Sequence, residues 1–358
     1  MYIFYPFSIL YASLVATIRF LYQFGLLKTR RCSVPVLKLG NLSVGGTGKT
    51  PHVEFIVESL AQSYDIVILS RGYNRKTKGI FWVKSESTAE EVGDEPLQLR
   101  RKFPHVPIIV SERRVRALAP IQEKYPQTNL IILDDAMQHW ALEASCRILL
   151  STFDRPFFRD YPLPLGRLRE FRSGYKRAEY IIITKCPVNI SEAEQESYRQ
   201  NIKLLAHQQL YVSYYTYGFP YSIWDSKKEY TQSLRKCRLI VITAIATTKY
   251  LEHYLRSQTD KITWLKFKDH YFFTEKDIEN LNLSYESNAQ FSRLADAPTL
   301  VVTTEKDATR LRLHQGLIKK HALPIYVLPI KVRFVQAKAE EFLANLKETI
   351  TSNGTSIR

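Results

Sequence analysis

The run Ser43-Val44-Gly45-Gly46-Thr47-Gly48-Lys49-Thr50 carries the residue types that grip a polyphosphate. Glycines let backbone N–H groups curl round phosphate oxygens, the lysine reaches the β- and γ-phosphates, and the threonine hydroxyl is a ligand for Mg2+. The run matches G-x-x-x-x-G-K-[ST], except that Ser43 stands at the first glycine; glycines at 45, 46 and 48 partly compensate. Residues 34–39 before it form an apolar run that reads as a strand, and apolar residues at 53, 56, 57 and 60 after it share one helix face. The loop therefore opens a helix, whose N-terminal dipole end favours an anion. A glycine-rich turn with a chance Lys-Thr is the alternative.

Other chemistry-bearing residues fall at the ends of predicted strands. Residues 129–133 lead into Asp134 and Asp135, followed by Gln138 and His139. A buried strand ending in a carboxylate is where a nucleotide-bound Mg2+ is held, although Asp-Asp also makes an ordinary turn. On one sheet with a phosphate loop, the metal reading is favoured. The strand at 64–69 exits into Ser70-Arg71-Gly72-Tyr73, and that at 107–110 into an arginine-rich segment containing Arg114. Such arginines either clamp phosphate at the carboxyl edge of a parallel sheet or decorate a solvated helix. Gly93-Asp94-Glu95-Pro96 opens a helix, where Asp94 taken alone is a cap. His270 lies in the aromatic segment 267–273 and taken alone is structural. Thr184-Lys185 begins like an N/T-K-x-D base loop, but Pro187 stands where the Asp would be.

The 358 residues carry a net charge of +16, which implies anionic partners without choosing among nucleic acid, a membrane surface and phosphorylated substrates. Cys32, Cys146, Cys186 and Cys237 are scattered without C-x-x-C spacing, which suits a reduced compartment and argues against a disulfide framework or zinc site. Residues 1–18 contain no charge, and Lys28, Arg30 and Arg31 close the apolar N-terminus. Its tyrosines favour a lipid–water boundary. An interfacial helix, a single span and a buried helix of the fold all stay open.

Gathering the strand-end residues requires a parallel sheet. Apolar runs alternate with helical ones, and a second series begins at 238–243 and continues through 262–265, 299–304 and 325–328. The expected fold is α/β, with two α/β/α units, the first a P-loop NTPase-like parallel sheet. A β-hairpin linker joins them, and a membrane-associated helix precedes both. The expected bounds are 1–32 for that helix, 33–208 for the kinase-like unit, 209–233 for the linker and 234–358 for the smaller unit.

Seven segments together resemble one family, the tetraacyldisaccharide 4′-kinases of lipid A biosynthesis. They are GNLSVGGTGKTP (40–51), SRGY (70–73), GDEP (93–96), DDAMQH (134–139), LPLGRLREF (163–171), FKDHYFF (267–273) and TTEKD (303–307). Their order is the family's, and its phosphate loop has the Ser43 form. The resemblance implies transfer of the ATP γ-phosphate to the 4′-hydroxyl of a tetraacyldisaccharide 1-phosphate, giving lipid IVA. It implies work at the cytoplasmic face of the bacterial inner membrane, using ATP and Mg2+; a monomer that binds no nucleic acid is expected, with the oligomeric state left open by the sequence. Carried over by position, Lys49 and Thr50 serve phosphate and Mg2+, and Asp134, Asp135 and Glu170 serve the metal. Asp94 is then the general base and His270 its partner. Arg71, Arg114, Gln138 and Arg169 are candidates for holding substrate or phosphate. Departures from the family pattern are Ala136 and Met137, Leu165 and Arg167, and the segment 246–250, and they spare the catalytic set. A nucleic-acid motor and a P-loop switch GTPase are competing classes. The first lacks a helicase motif series, and the second needs the missing Asp.

Overall fold

The structure, a computed structural model, describes residues 2–295 and 297–355. In chain order the strands are β1 (Val36–Asn41), β2 (Ile66–Ser70), β3 (Phe81–Trp82), β4 (Ile108–Val110), β5 (Leu130–Leu133), β6 (Cys146–Thr152), β7 (Tyr180–Thr184) and β8 (Gln209–Tyr217). They continue with β9 (Tyr221–Ser222), β10 (Asp225–Glu229), β11 (Arg238–Thr243), β12 (Ile262–Lys266), β13 (Thr299–Thr304), β14 (Ile325–Leu328) and β15 (Ile330–Phe334). The α-helices are α1 (Tyr5–Gln23), α2 (Lys49–Leu60), α3 (Ala89–Val92), α4 (Asp94–Lys102), α5 (Leu118–Lys124), α6 (Glu192–Ile202), α7 (Lys249–Gln258), α8 (Glu275–Ala295), α9 (Glu305–Leu311), α10 (Gln315–Lys320) and α11 (Ala339–Thr355).

Apolar runs without alternation mark strands covered on both faces, the condition of a parallel sheet. β1, β2, β5 and β7 are buried throughout. They lie inside a sheet ordered β15-β8-β7-β6-β1-β5-β2-β4-β3, parallel from β8 to β4 and antiparallel at both edges. A second sheet runs β10-β9-β14-β13-β11-β12, with β14, β13, β11 and β12 parallel. Adjacent β1 and β5 deliver the phosphate loop and the Asp134-Asp135 pair to one edge. Parallel-dominated α/β architecture is thus present in both sheets.

Three expectations change. The segment 209–233 is not a free-standing hairpin. β8 is buried at Leu210–Ser213 and completes the first sheet against β7, while β9 and β10 belong to the second. The chain also does not stay in the second unit after 328. β15 returns to pair antiparallel with β8, and the two crossings are joined where Gly218 N–H donates to Pro329 O at 3.1 Å. Because β15 follows β14 after a single proline, the sequence shows one apolar run where the structure makes two strands in different sheets. α11 then buries Phe342, Leu346 and Ile350, spaced by four, on the first core.

The third change concerns α1. Only Ser8 and Ala12 of this helix are buried, whereas Phe7, Leu10, Leu14 and Phe20 are exposed, so it is not a core helix. Arg19 interrupts its apolar character, and among the described residues no helix is long and apolar enough to cross a membrane. The single-span reading falls with that.

The ring of Phe342 lies 5.1 Å from Tyr211, 5.1 Å from Phe334 and 5.6 Å from Tyr180, with Phe55 of α2 at 6.5 Å. This cluster ties the returning chain to the helix that begins in the phosphate loop. Phe342→Ala is expected to lower the stability to urea unfolding by about 3–5 kcal/mol, the usual cost of emptying a buried aromatic site. An unchanged midpoint would mean that α11 is not part of the cooperative core.

Candidate active site

The phosphate loop owes its shape to two glycines and one strand-like contact. Gly45 and Gly48 have φ of +105° and +89°, the left-handed region a side chain resists. A Cβ on Gly48 would collide with the Tyr215 hydroxyl, so only glycine fits there. Ser43 needs no such freedom. It forms an antiparallel bridge with Leu168, flanked by Val44 N–H to Arg167 O (2.8 Å) and Arg169 N–H to Leu42 O (2.7 Å). The loop is braced from beneath by Asn41 to Thr47 Oγ1 (2.7 Å), Thr184 Oγ1 to Thr47 O (2.9 Å) and Lys185 Nζ to Gly46 O (2.6 Å). Burial pushes His52 down to about 4, so it is neutral at pH 7 and adds no charge while its Nδ1 bonds Gly48 O at 2.8 Å.

Beyond the loop lies a network of alternating charge. Lys49 Nζ is 3.6 Å from Asp135 Oδ2, and Arg169 donates to Asp135 Oδ1 at 2.8 Å. Burial alone would raise Asp135, but Lys49 and Arg169 outweigh it and hold the carboxyl below its usual range. Arg114, buried, donates to Asp135 O at 3.1 Å. Glu170 takes two 2.8 Å hydrogen bonds from Arg177, one from Gln138 at 2.9 Å, and has Arg19 of α1 at 3.9 Å. Gln138 also donates to Asn41 O at 3.0 Å, so it braces the loop base. Arg71 stands exposed at the end of β2.

Asp134, Asp135 and Glu170 are not gathered as one ligand set: among the described residues no group of three or more His, Cys, Asp or Glu side chains is placed to hold a metal ion. The reason is local, since Glu170 is saturated by Arg177 and Gln138, and Asp135 by Lys49 and Arg169. Asp134 differs. It is buried, its Oδ1 has no hydrogen-bond partner among the described residues, and burial with the Glu95 and Asp135 charges pushes it up to about 7. An orphaned buried carboxylate at the end of β5, the strand next to the one that leads into the phosphate loop, is a donor that fits a hard divalent cation.

A second cluster forms around Asp94. Gly93, at φ +93°, leaves no room for a side chain, since a Cβ there would press on Tyr73 O and Gly72, and this sets the first residue of α4 at the β2 exit. Asp94 is the first residue inside α4 and Gly93 holds the cap position without a side-chain cap, so the capping reading is not met; Asp94 Oδ1 accepts only from its neighbour Glu95 N–H, at 2.9 Å. Its Oδ2 faces His270 Nδ1 at 3.0 Å and Arg310 at 3.3 Å. Lys306 Nζ lies 3.2 Å from His270 Nε2. An ammonium only donates, so Nε2 accepts and Nδ1 carries the proton given to Asp94. Burial would raise Asp94, yet His270, Lys306 and Arg310 together hold it below its ordinary value. Glu95, 3.3 Å from Lys306, reaches from this cluster toward Asp134.

Sequence reasoning did not assign Lys306, Arg310 or Arg177. Lys306 lay inside the TTEKD segment, and Arg310 follows it by one helical turn, a spacing that could have flagged it. Arg177 had no such signal.

The family model described as tetraacyldisaccharide-1-P 4′-kinase matches residues 1–350 of the chain. The tetraacyldisaccharide 4′-kinase of Bacteroides thetaiotaomicron is 36% identical over 349 residues, covering 94% of this chain and 90% of that one. That of Flavobacterium johnsoniae is 35% identical over 351 residues, covering 98% and 97%. Among solved structures, LpxK from Aquifex aeolicus in complex with ATP superposes with a TM-score of 0.72 at 26% identity, covering 97% of this chain and 98% of that one.

The depressed Asp94 carboxyl has a consequence for stability. A carboxylate whose folded value lies below its unfolded one stabilises the fold above the unfolded value and loses that contribution as pH falls through the folded value. Asp94→Asn is therefore expected to cost about 1.5–3 kcal/mol at neutral pH, the worth of a charge-assisted hydrogen bond. Its penalty should begin to shrink as pH falls below the ordinary carboxylate value of about 4, where the unfolded chain takes up the proton, and vanish only once the folded Asp94 is protonated as well. Urea melts of both proteins across pH 3–7 check this; a penalty independent of pH would place the effect in packing.

Proposed function

The chain belongs to the tetraacyldisaccharide-1-P 4′-kinase family, and from that premise we propose how its residues carry out the transfer. It is an ATP-dependent kinase that phosphorylates the 4′ position of the tetraacyldisaccharide 1-phosphate in lipid A biosynthesis. The observation that supports the residue-level reading is the contact between Asp94 and His270, which stand 176 positions apart and come from different sheets.

In this reading the β- and γ-phosphates of ATP lie against the backbone of residues 43–50, with Lys49 as their cation. Thr50 and Asp134 would hold Mg2+, which when bound neutralises phosphate charge. Asp135 keeps Lys49 aimed, and Glu170 with Gln138 stiffens the loop base rather than meeting the metal. Asp94 takes the proton of the 4′-hydroxyl, while His270 Nδ1–H orients the carboxylate. Phosphoryl transfer passes through a loose transition state, so positioning and charge outweigh proton transfer. Arg71, Arg114 and Arg169 supply positive charge where the acceptor and γ-phosphate meet.

The acceptor is a lipid, and α1 is suited to meet it. Small residues Ser8 and Ala12 face the body, Tyr11 OH donates to Arg169 O at 3.2 Å, and the large apolar side chains point outward. A cavity of about 350 Å³ lined by Tyr5, Ile9, Tyr161 and Phe171 opens between α1 and the loop that carries Arg169. A helix with a lipid-seeking face outward lies in the plane of a membrane interface. The expected place of work is the cytoplasmic face of the inner membrane.

Transfer of labelled γ-phosphate from ATP to tetraacyldisaccharide 1-phosphate in detergent micelles is expected of the purified protein. Asp94→Ala should lower kcat at least about a hundredfold while ATP affinity stays within about threefold, since a base acts in the chemical step. Equal loss of both would make Asp94 structural. Deletion of residues 1–18 should move the protein from the membrane pellet to the supernatant with its melting transition intact; persistence in the pellet would remove α1 as the anchor.

A further inference from the structure

Lys102 ends α4, and its ammonium enters a seam where three helices meet. It lies 2.7 Å from Glu54 Oε2 and 3.9 Å from Glu58 on α2, and 3.4 Å from Glu305 Oε1, the first residue of α9. Gln98, one turn earlier on α4, donates to Glu54 Oε1 at 2.7 Å. Tyr221, in the second sheet, donates to Glu305 Oε1 at 3.4 Å. The Glu54 and Glu305 side chains are only 3% and 10% exposed, so bulk water does little to screen them from each other. One ammonium thus separates the buried Glu54 from the nearly buried Glu305. Burial and the Glu305 charge push Glu54 up to about 8, and the two carboxylates overcome burial to hold Lys102 above its ordinary range.

Each helix in the seam carries part of the machinery. α2 begins with Lys49 and Thr50, and α4 begins with Asp94, about two turns before Lys102. α9 runs from Glu305 into Lys306 and Arg310, the cations that hold His270 and Asp94. α4 is therefore gripped at both ends, by the base cluster at its start and by the ion triad at its end. The triad is also a direct charge link between α9, which packs in the second sheet's layer, and α2, which packs in the first.

We propose that Lys102 is a positioning residue for the phosphoryl transfer, fixing the spacing of the phosphate-loop helix, the base helix and the cation-bearing helix. It touches no substrate. The proposal rests on the reading of Asp94 and His270 as the base pair of the lipid kinase. Without the ammonium, Glu54 and Glu305 face each other with no cation between them. Burial and the Glu305 charge then leave Glu54 neutral, the ion link from α2 through Lys102 to α9 is lost, α9 is no longer held against α2 and α4, and Asp94 leaves the line of attack on the γ-phosphate.

The test is steady-state kinetics of the full chain with ATP and tetraacyldisaccharide 1-phosphate, with ATP affinity read separately by equilibrium binding. Lys102→Met is expected to lower kcat about 30-fold while the ATP Kd stays within about threefold. Lys102→Arg should stay within about fivefold of wild type, because the charge is kept. The proposal is overturned by an unchanged kcat in Lys102→Met, by equal loss of kcat and ATP affinity, or by Lys102→Arg losing as much kcat as Lys102→Met. Should Lys102→Met not fold, Glu305→Gln carries the test: kcat falls about fivefold with ATP affinity kept, and no change overturns the proposal. Inactive wild-type protein would instead overturn the kinase reading, and this proposal with it.

Discussion

A guanidinium with no access to water holds the chemistry of the two sheets together. Arg310 is fully buried and pairs with Asp307 on its own helix and with Asp94 at the start of α4. Taking these charges out of water costs several kcal/mol per ion, so the arrangement survives only if every oxygen is engaged. It is. Asp307 accepts from Thr243 at 2.9 Å, from Ala244 N–H at 3.1 Å and from Thr304 at 2.7 Å, which anchors the arginine on β11 and β13. Asp94 then meets a guanidinium that cannot move without uncovering Asp307. The carboxylate that the sequence places in the first unit is held in orientation by the second.

The same economy of charge governs the phosphate side. A surplus of cations faces the site, and a bare cluster of them would repel itself. Asp135 sits between Lys49 and Arg169, and Glu170 between Arg177 and Arg19, so each cation is held by a carboxylate until phosphate arrives. His52, kept neutral by burial, binds the loop carbonyl without adding to the repulsion. At this edge the cations Lys49, Arg169, Arg177 and Arg19 are balanced by two carboxylates that fix their direction.

Much of this was legible in the sequence because parallel strands announce themselves as unbroken apolar runs, and because chemistry sits at their carboxyl ends. Residues 130–133, 180–184 and 299–304 are strands where their composition places them, and Lys49, Asp134 and Asp135 emerge at one edge. What could not be read was pairing at long range. β15 merges with β14 in the sequence because a single proline separates them, and nothing local tells the chain to change sheets there. Glu170 resembles a metal ligand by motif, and only the position of Arg177 in space shows that its oxygens are taken. Lys306 and Arg310 face the site because α9 starts directly after β13, a register that motif spacing hints at but does not fix.

The departure at Ser43 connects these levels. The first glycine of a phosphate loop is needed where the backbone must turn tightly, but here the chain at 43 is extended and bridges Leu168. The loop 161–171 therefore serves as an extra strand for the phosphate loop, and α1 rests on that same loop through Ser8 to Pro162 O and Tyr11 to Arg169 O. A chain of backbone and side-chain bonds thus runs from the outward apolar helix, through the Arg169 loop, to the residues that surround phosphate. The serine stands where the phosphate loop is tied to the loop on which α1 packs.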